Sequence, residues 1–340
     1  TIRPTVEYNN TFGKHDVSAL FLYEFAREDY EGISAGREDF PLTNIMDISY
    51  GNKVSESLVK GSHSNDKRAG YVMRLNYAYD QKYLFEFTGR IDASTALPKG
   101  NRWGFFPAVS LGYRVSQEDF FKNALPFIDN FKIRGSVGRL GSDASISNTM
   151  TYFSTAGLSS DPCVVFGTTP LKDMGMSGPV CPDLKWQITD SYNIGFDADL
   201  WHGLLGVELD VFYMKTSRSL AGQSGKFPPS LGNWYPAYIN YGSHDNRGFE
   251  LVLTHRNKIK DFNYYVKGNV SFARNRILKT IEDSDVPLYK RRTGKRIGET
   301  IGFVATGLFQ SEEENAKSAV FEGSTNTKPG DVKMKDINGD

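Results

Sequence analysis

The chain has 340 residues, 39% of them hydrophobic and 13% aromatic, with 18 Tyr and 23 Phe. Lys plus Arg balance Asp plus Glu at 40 each, which argues against nucleic acid as a partner. No stretch approaches the roughly 18–20 apolar residues of a transmembrane helix, whereas a mean hydropathy of -0.43 is compatible with membrane strands that turn only every second residue to lipid.

Thr1 leads straight into a strand-like segment, Ile2–Tyr8, with no signal peptide ahead of it, and the chain stops at Asp340 inside a polar motif. It is therefore read as a piece of a longer protein. In Ala69–Tyr79 the odd positions are Ala69, Tyr71, Met73, Leu75, Tyr77 and Tyr79, and Arg74 and Asn76 lie between them. Tyr83–Ile91 sets Phe85 and Phe87 against Glu86 and Arg90. Ser191–Leu200 sets Tyr192, Ile194 and Phe196 against Asn193, Asp197 and Asp199. Glu208 and Asp210 alternate with Val207, Leu209 and Val211, and Phe262–Phe272 repeats the pattern. A period of two sustained over about ten residues predicts strands with one apolar and one wet face. Roughly eleven are expected, the last at about Gly302–Gln310.

The connections alternate in length. Short ones fall at Gly13–Asp16, Asp80–Lys82, Trp201–Leu205 and Asn257–Asp261. Long ones run about Glu28–Asp66, Thr95–Gly104, Gly141–Lys185, Leu220–Asp245 and Lys279–Ile301. Long loops on one side and tight turns on the other are the habit of a transmembrane antiparallel β-barrel. Tyr77, Tyr79 and Tyr83 flank one short turn, as an interfacial girdle requires. The connection near residue 116 is longer: Ser116 reads as a helix N-cap with Asp119 three residues on, and Pro126 stops the helical turn at the periplasmic rim. A barrel in lipid cannot leave a strand edge unpaired, so a chain of this length is part of a larger barrel.

Two cysteines, Cys163 and Cys181, lie in one long segment and suit a loop-closing disulfide, with two free thiols as the alternative. Asp336, Asn338 and Asp340 place oxygen ligands at every second position, like the opening of a Ca²⁺ loop; an Asn-Gly turn is the alternative. Trp234 and Tyr235, with Tyr238, sit in a Pro-rich loop where flat rings offer stacking surfaces for sugars or peptide side chains, or pack the loop on itself. No zinc spacing, P-loop or dinucleotide fingerprint occurs. Gly32-Ile33-Ser34-Ala35-Gly36 matches a nucleophile elbow by pattern, but in an all-β context, so no enzyme activity is expected. Gly135, Gly138 and Gly141 read as packing glycines.

Several motifs together resemble the barrel of SusC/RagA-type TonB-dependent outer-membrane transporters. They are Asn76-Tyr77 through Arg90-Ile91-Asp92-Ala93-Ser94, Asn101-Arg102-Trp103-Gly104 through Arg114, Phe131–Gly138, Trp186–Phe196, Asn246–Leu251 and Lys328–Asp340. Their order matches too. The family's TonB box, plug domain and aromatic-ended last strand have no counterpart here. The resemblance implies that residues 1–340 are a barrel fragment covering around half of a plugged barrel of about 22 strands, toward its carboxyl end. It implies the outer membrane of a Gram-negative bacterium, active import of oligosaccharides or peptides, a SusD-like surface lipoprotein as lid, and TonB as energy source through the plug. A siderophore or vitamin receptor and a passive porin share the strand rhythm. A secreted soluble carbohydrate-binding β-protein is the non-membrane alternative; it predicts that Tyr192, Ile194 and Phe196 face a closed core.

Overall fold

The computed structural model describes all residues except 43, 45–46, 54–57, 148–155, 168, 177–179, 224–225, 229, 231–234, 237, 284–285, 319–326 and 337–340; for 147, 156–164, 166 and 169–176 it describes the backbone alone. The strands are β1 (Thr5–Phe12), β2 (His15–Ser34), β3 (Lys60–Tyr79), β4 (Tyr83–Ser94), β5 (Trp103–Arg114), β6 (Ile128–Ser142), β7 (Ala156–Phe166), β8 (Thr169–Met176), β9 (Gln187–Leu200), β10 (Leu205–Gly222), β11 (Tyr238–Ile259), β12 (Phe262–Lys279), β13 (Ala305–Leu308) and β14 (Val332–Met334). Ten of them form one antiparallel meander in the order β1-β2-β3-β4-β5-β6-β9-β10-β11-β12. The hairpin β7-β8 is inserted in the long connection between β6 and β9, and β13-β14 form a separate two-stranded ladder.

Register places the apolar residues of neighbouring strands on one face. Val211 stands opposite Ile194 on one side and Phe249 on the other, and Phe249 opposite Phe272. The outward positions, taken alternately over 15–25, 69–79, 83–93, 103–113, 131–137, 192–200, 205–213, 249–259 and 262–272, include no Asp, Glu, Lys or Arg. They are nonetheless open to the surroundings: Ile194 is 62% exposed and Tyr192 50%. A soluble sheet would bury them, so the closed-core expectation for Tyr192, Ile194 and Phe196 is overturned. The sheet curves toward its other, polar face, where one hollow is lined from Asn9 on β1 to Asn193 on β9.

The height of the apolar band fits a bilayer. On β3, Tyr79 and Tyr71 are eight residues apart, roughly 27 Å along the strand and roughly 21 Å across a membrane at a tilt of about 40°. At the short-turn end Tyr79, Tyr83 and Tyr113 form a row, with ring centroids 6.4 Å and 5.0 Å apart. At the other end Trp103 stacks on Tyr71 at 6.2 Å, and Tyr71 meets Tyr23 at 5.1 Å. These are two aromatic girdles with an uncharged band between them.

Three expectations change. The ladder β2-β3 continues through residues 28–34 and 60–66, and β11 begins at Tyr238, so strands run on where loops were expected at Glu28–Asp66 and Leu220–Asp245. Above the lipid neither face needs apolar residues, so the alternation that marks a strand fades while backbone pairing persists. The sheet has ten strands, because the stretch expected to be the eleventh supplies only β13 and pairs with β14. Ser116 is not a helix cap: it is buried in a 3-10 turn, and α1 (Asp119–Ala124) starts after Glu118. The Glu118 side chain is drawn instead to Lys82 Nζ (3.1 Å), Tyr83 OH (3.0 Å) and Tyr113 OH (3.3 Å).

Candidate functional site

The polar face is held by charge pairs that cross strands. Arg134 on β6, Gly195 on β9 and Asp210 on β10 share one register row. A Cβ at position 195 would lie 2.7 Å from Asp210 Oδ1 and 3.2 Å from Arg134 Cζ. Glycine thus opens a gap through which Arg134 passes over β9, donating from Nη1 and Nη2 to the Asp210 carboxylate at 2.5 Å each and from Nε to Asp197 at 3.1 Å. Lys132 Nζ lies 3.8 Å from Asp197. Such paired charges on a face curved around a hollow suit a wet lumen.

Toward the long-loop end a second hollow includes Arg68, Arg90, Asp92, Arg139, Asp143 and Trp186. Asp143 accepts from buried Ser94 Oγ at 2.5 Å and pairs with Arg68 at 3.3 Å, joining the tops of β3, β4 and β6. Beside it the long connections meet in a buried cluster of Leu97, Phe106, Ile146, Cys181, Leu184, Trp186 and Ile188, against which Leu220 and Tyr238 pack. Trp186 Nε1 donates to the Arg102 carbonyl at 3.0 Å. Gly141 has a packing role: a Cβ there would collide with the Phe106 ring.

The site residues expected from sequence are dispersed. Tyr238 opens β11 and is half-buried on this cluster, rather than free in a loop. Tyr235 stacks on Phe227 at 4.6 Å, and Gln223 Nε2 holds the Pro236 carbonyl at 2.7 Å, so the connection folds on itself. Trp234 lies outside the described residues, as do Asn338 and Asp340; Asp336 is exposed after β14. Cys181 is buried and bonded to no other cysteine among the described residues, and the side chain of Cys163 lies outside them. Ser34 ends β2 opposite Lys60, in a sheet rather than at a strand-to-helix elbow. The Arg134–Gly195–Asp210 row was not expected. Each member stands on the wet face of its own strand, but only cross-strand register brings the three together.

The model for the family described as "TonB dependent receptor-like, beta-barrel" matches residues 3–309. TonB-dependent receptor P3 of Formosa agariphila is 28% identical over 98% of this chain and 33% of its own length. TonB-dependent receptor SusC of Bacteroides thetaiotaomicron is 29% identical over 73% of this chain and 25% of its own. A chain in the structure of the RagAB peptide transporter superposes with a TM-score of 0.71 at 22% identity, covering 86% of this chain and 32% of that one, a likeness of fold. The chain thus spans about a third or less of the length of these relatives. That family is one of receptors rather than enzymes, and it resides in the Gram-negative outer membrane. With a ten-stranded arc whose outward band is uncharged and whose inward face is polar, this chain belongs to the TonB-dependent receptor β-barrel family.

Proposed function

We propose that the chain forms barrel wall in an active importer of oligosaccharides or peptides that works with a SusD-like surface lipoprotein and draws on TonB through a plug held inside the barrel. The observation that carries this is the contrast between the two faces: an uncharged outward band, and an inward face lined by Arg134, Asp197, Asp210 and their neighbours. The likeness to SusC and to the RagAB peptide transporter supports substrates of the polymer class. Import is binding followed by gated passage, with no covalent step. Substrate rings or side chains would meet Trp234, Tyr235 and Tyr238 at the long-loop end. A Cys163–Cys181 disulfide and Ca²⁺ at Asp336, Asn338 and Asp340 extend the proposal; alkylation without reduction and Ca²⁺ titration of the purified protein test them.

The main test is detergent-phase fractionation of the full-length protein, with pull-down of any lipoprotein encoded beside it and mass spectrometry of bound glycan or peptide. A membrane-bound pair carrying oligosaccharide or peptide is expected. A soluble monomer, or a membrane protein that binds only a small iron chelate, would overturn the reading.

A further inference from the structure

The connection between β5 and β6 departs from the other short-side connections, which are tight turns. It spans residues 115–127 and contains α1. Its position follows from its contacts. Phe121 is buried with its ring parallel to Phe131 at 5.6 Å, and Phe131 meets Phe196 at 5.8 Å. Phe131 stands opposite Ala198, on the outward face. Glu118 accepts from the hydroxyls of Tyr83 and Tyr113, both members of the outward girdle. The helix therefore lies against the outside of the barrel at its short-turn rim and covers apolar wall there.

What it exposes is mixed, with Phe120 and Ala124 beside Asp119, Lys122 and Asn123. Phe120 is 66% exposed. Phe127 and Trp201, at the same rim, stack at 6.4 Å and are both exposed, and Trp201 N donates to the Phe127 carbonyl at 2.8 Å. Lys122 is an exposed cation on the same helix. Rings at the boundary of an uncharged band, with a lysine beside them, have the composition of an in-plane interfacial element. The short-turn side faces the periplasm, so the adjoining headgroups are those of the inner leaflet.

We propose that α1 with Phe127 and Trp201 is a phospholipid-binding platform on the outer wall of the periplasmic rim. Phe120, Phe127 and Trp201 enter the acyl-headgroup boundary, and Lys122 meets the lipid phosphate. The surface is continuous with the lipid-facing band, which is what identifies lipid as its occupant. This inference rests on the membrane-barrel reading, and the experiment separates the two.

A benzophenone amino acid is placed, one position at a time, at Phe120, Phe127, Ile194 and His202 of the full-length protein. Ile194 lies within the band, and His202 has a side chain 94% exposed at the turn. The protein is reconstituted in vesicles of phosphatidylethanolamine and phosphatidylglycerol with radiolabelled phosphate and illuminated. Lipid label at positions 120 and 127 several-fold above that at 202, and comparable to that at 194, is expected. Label at 194 with none above the 202 background at 120 and 127 overturns the platform and leaves the barrel standing. Absence of label at 194 as well overturns the barrel reading with it. Lys122→Glu is expected to lower the yield at position 120 with phosphatidylglycerol more than with phosphatidylethanolamine; an equal yield with both removes the assigned role of the lysine.

Discussion

Arg134 and Asp210 form a bidentate pair although a whole strand stands between them, because the residue between is Gly195. A Cβ at 195 would lie 2.6 Å from the Leu209 carbonyl oxygen and would crowd the Asp210 carboxylate and the guanidinium. Gly195→Val in the full-length protein is therefore expected to destabilise the barrel by about 1–3 kcal/mol, through overpacking and through carboxylates left without their partner. Urea unfolding of the protein in vesicles measures it. A midpoint equal to that of the unsubstituted protein would show that the bridge adds nothing to the wall.

Val109 and Ser110 are neighbours in the chain on opposite faces of β5, and Val109 lies between the girdle residues Trp103 and Tyr113. Val109→Arg is expected to cost about 2–4 kcal/mol, since it sets a cation in hydrocarbon. Ser110→Arg points into the wet hollow beside Glu86 and should cost far less. Folding yield and unfolding midpoint in vesicles compare the pair. Equal penalties would contradict the assignment of faces.

The Lys82 ammonium, followed by the Tyr83 hydroxyl, holds the Glu118 carboxyl below its ordinary value of 4.5. Between the lowered folded value and 4.5 the unfolded chain binds more protons than the folded one, so stability rises with pH across that window. The contribution is complete above the unfolded value and lost as pH falls through the folded one. Thermal unfolding followed from neutral pH into this acid window should show a decline that Glu118→Gln flattens. An unchanged profile in the variant would remove Glu118 from the rim's acid sensitivity.

Trp186 is the aromatic centre of the cluster that closes the long-loop end. Its ring stands edge-on to Phe106 at 5.3 Å. Trp186→Ala is expected to cost about 3–5 kcal/mol locally. Because the cluster lies above the lipid band, the loss should appear as faster proteolysis within residues 143–186, with the membrane strands still protected. Uniform proteolysis of the whole chain would mean that the cluster and the wall unfold as one.

Much of the wall was legible in the linear chain. Lipid on one face and water on the other force a period of two, so Tyr192, Ile194 and Phe196 announce their own side. Interfacial energetics place tyrosines at strand ends, and the row Tyr79, Tyr83, Tyr113 stands there. What was not legible falls outside the reach of lipid. Residues 28–34 and 60–66 form a ladder without alternation, because water surrounds both faces. Ser116 matched a capping pattern, yet the neighbouring carboxylate was recruited by two tyrosines from other strands.

The sequence by itself determined which residues face lipid, which connections lie on which side, and to which family the motifs point, because these follow from local alternation, turn length and short runs of residues. Only the tertiary structure decided that Arg134, Gly195 and Asp210 form one row, that Leu97, Ile146, Leu184 and Trp186 close one cluster, and that α1 lies on the outer wall. Those contacts join residues far apart in the chain, and they are set by strand register and side-chain packing, which no local pattern of residue types encodes.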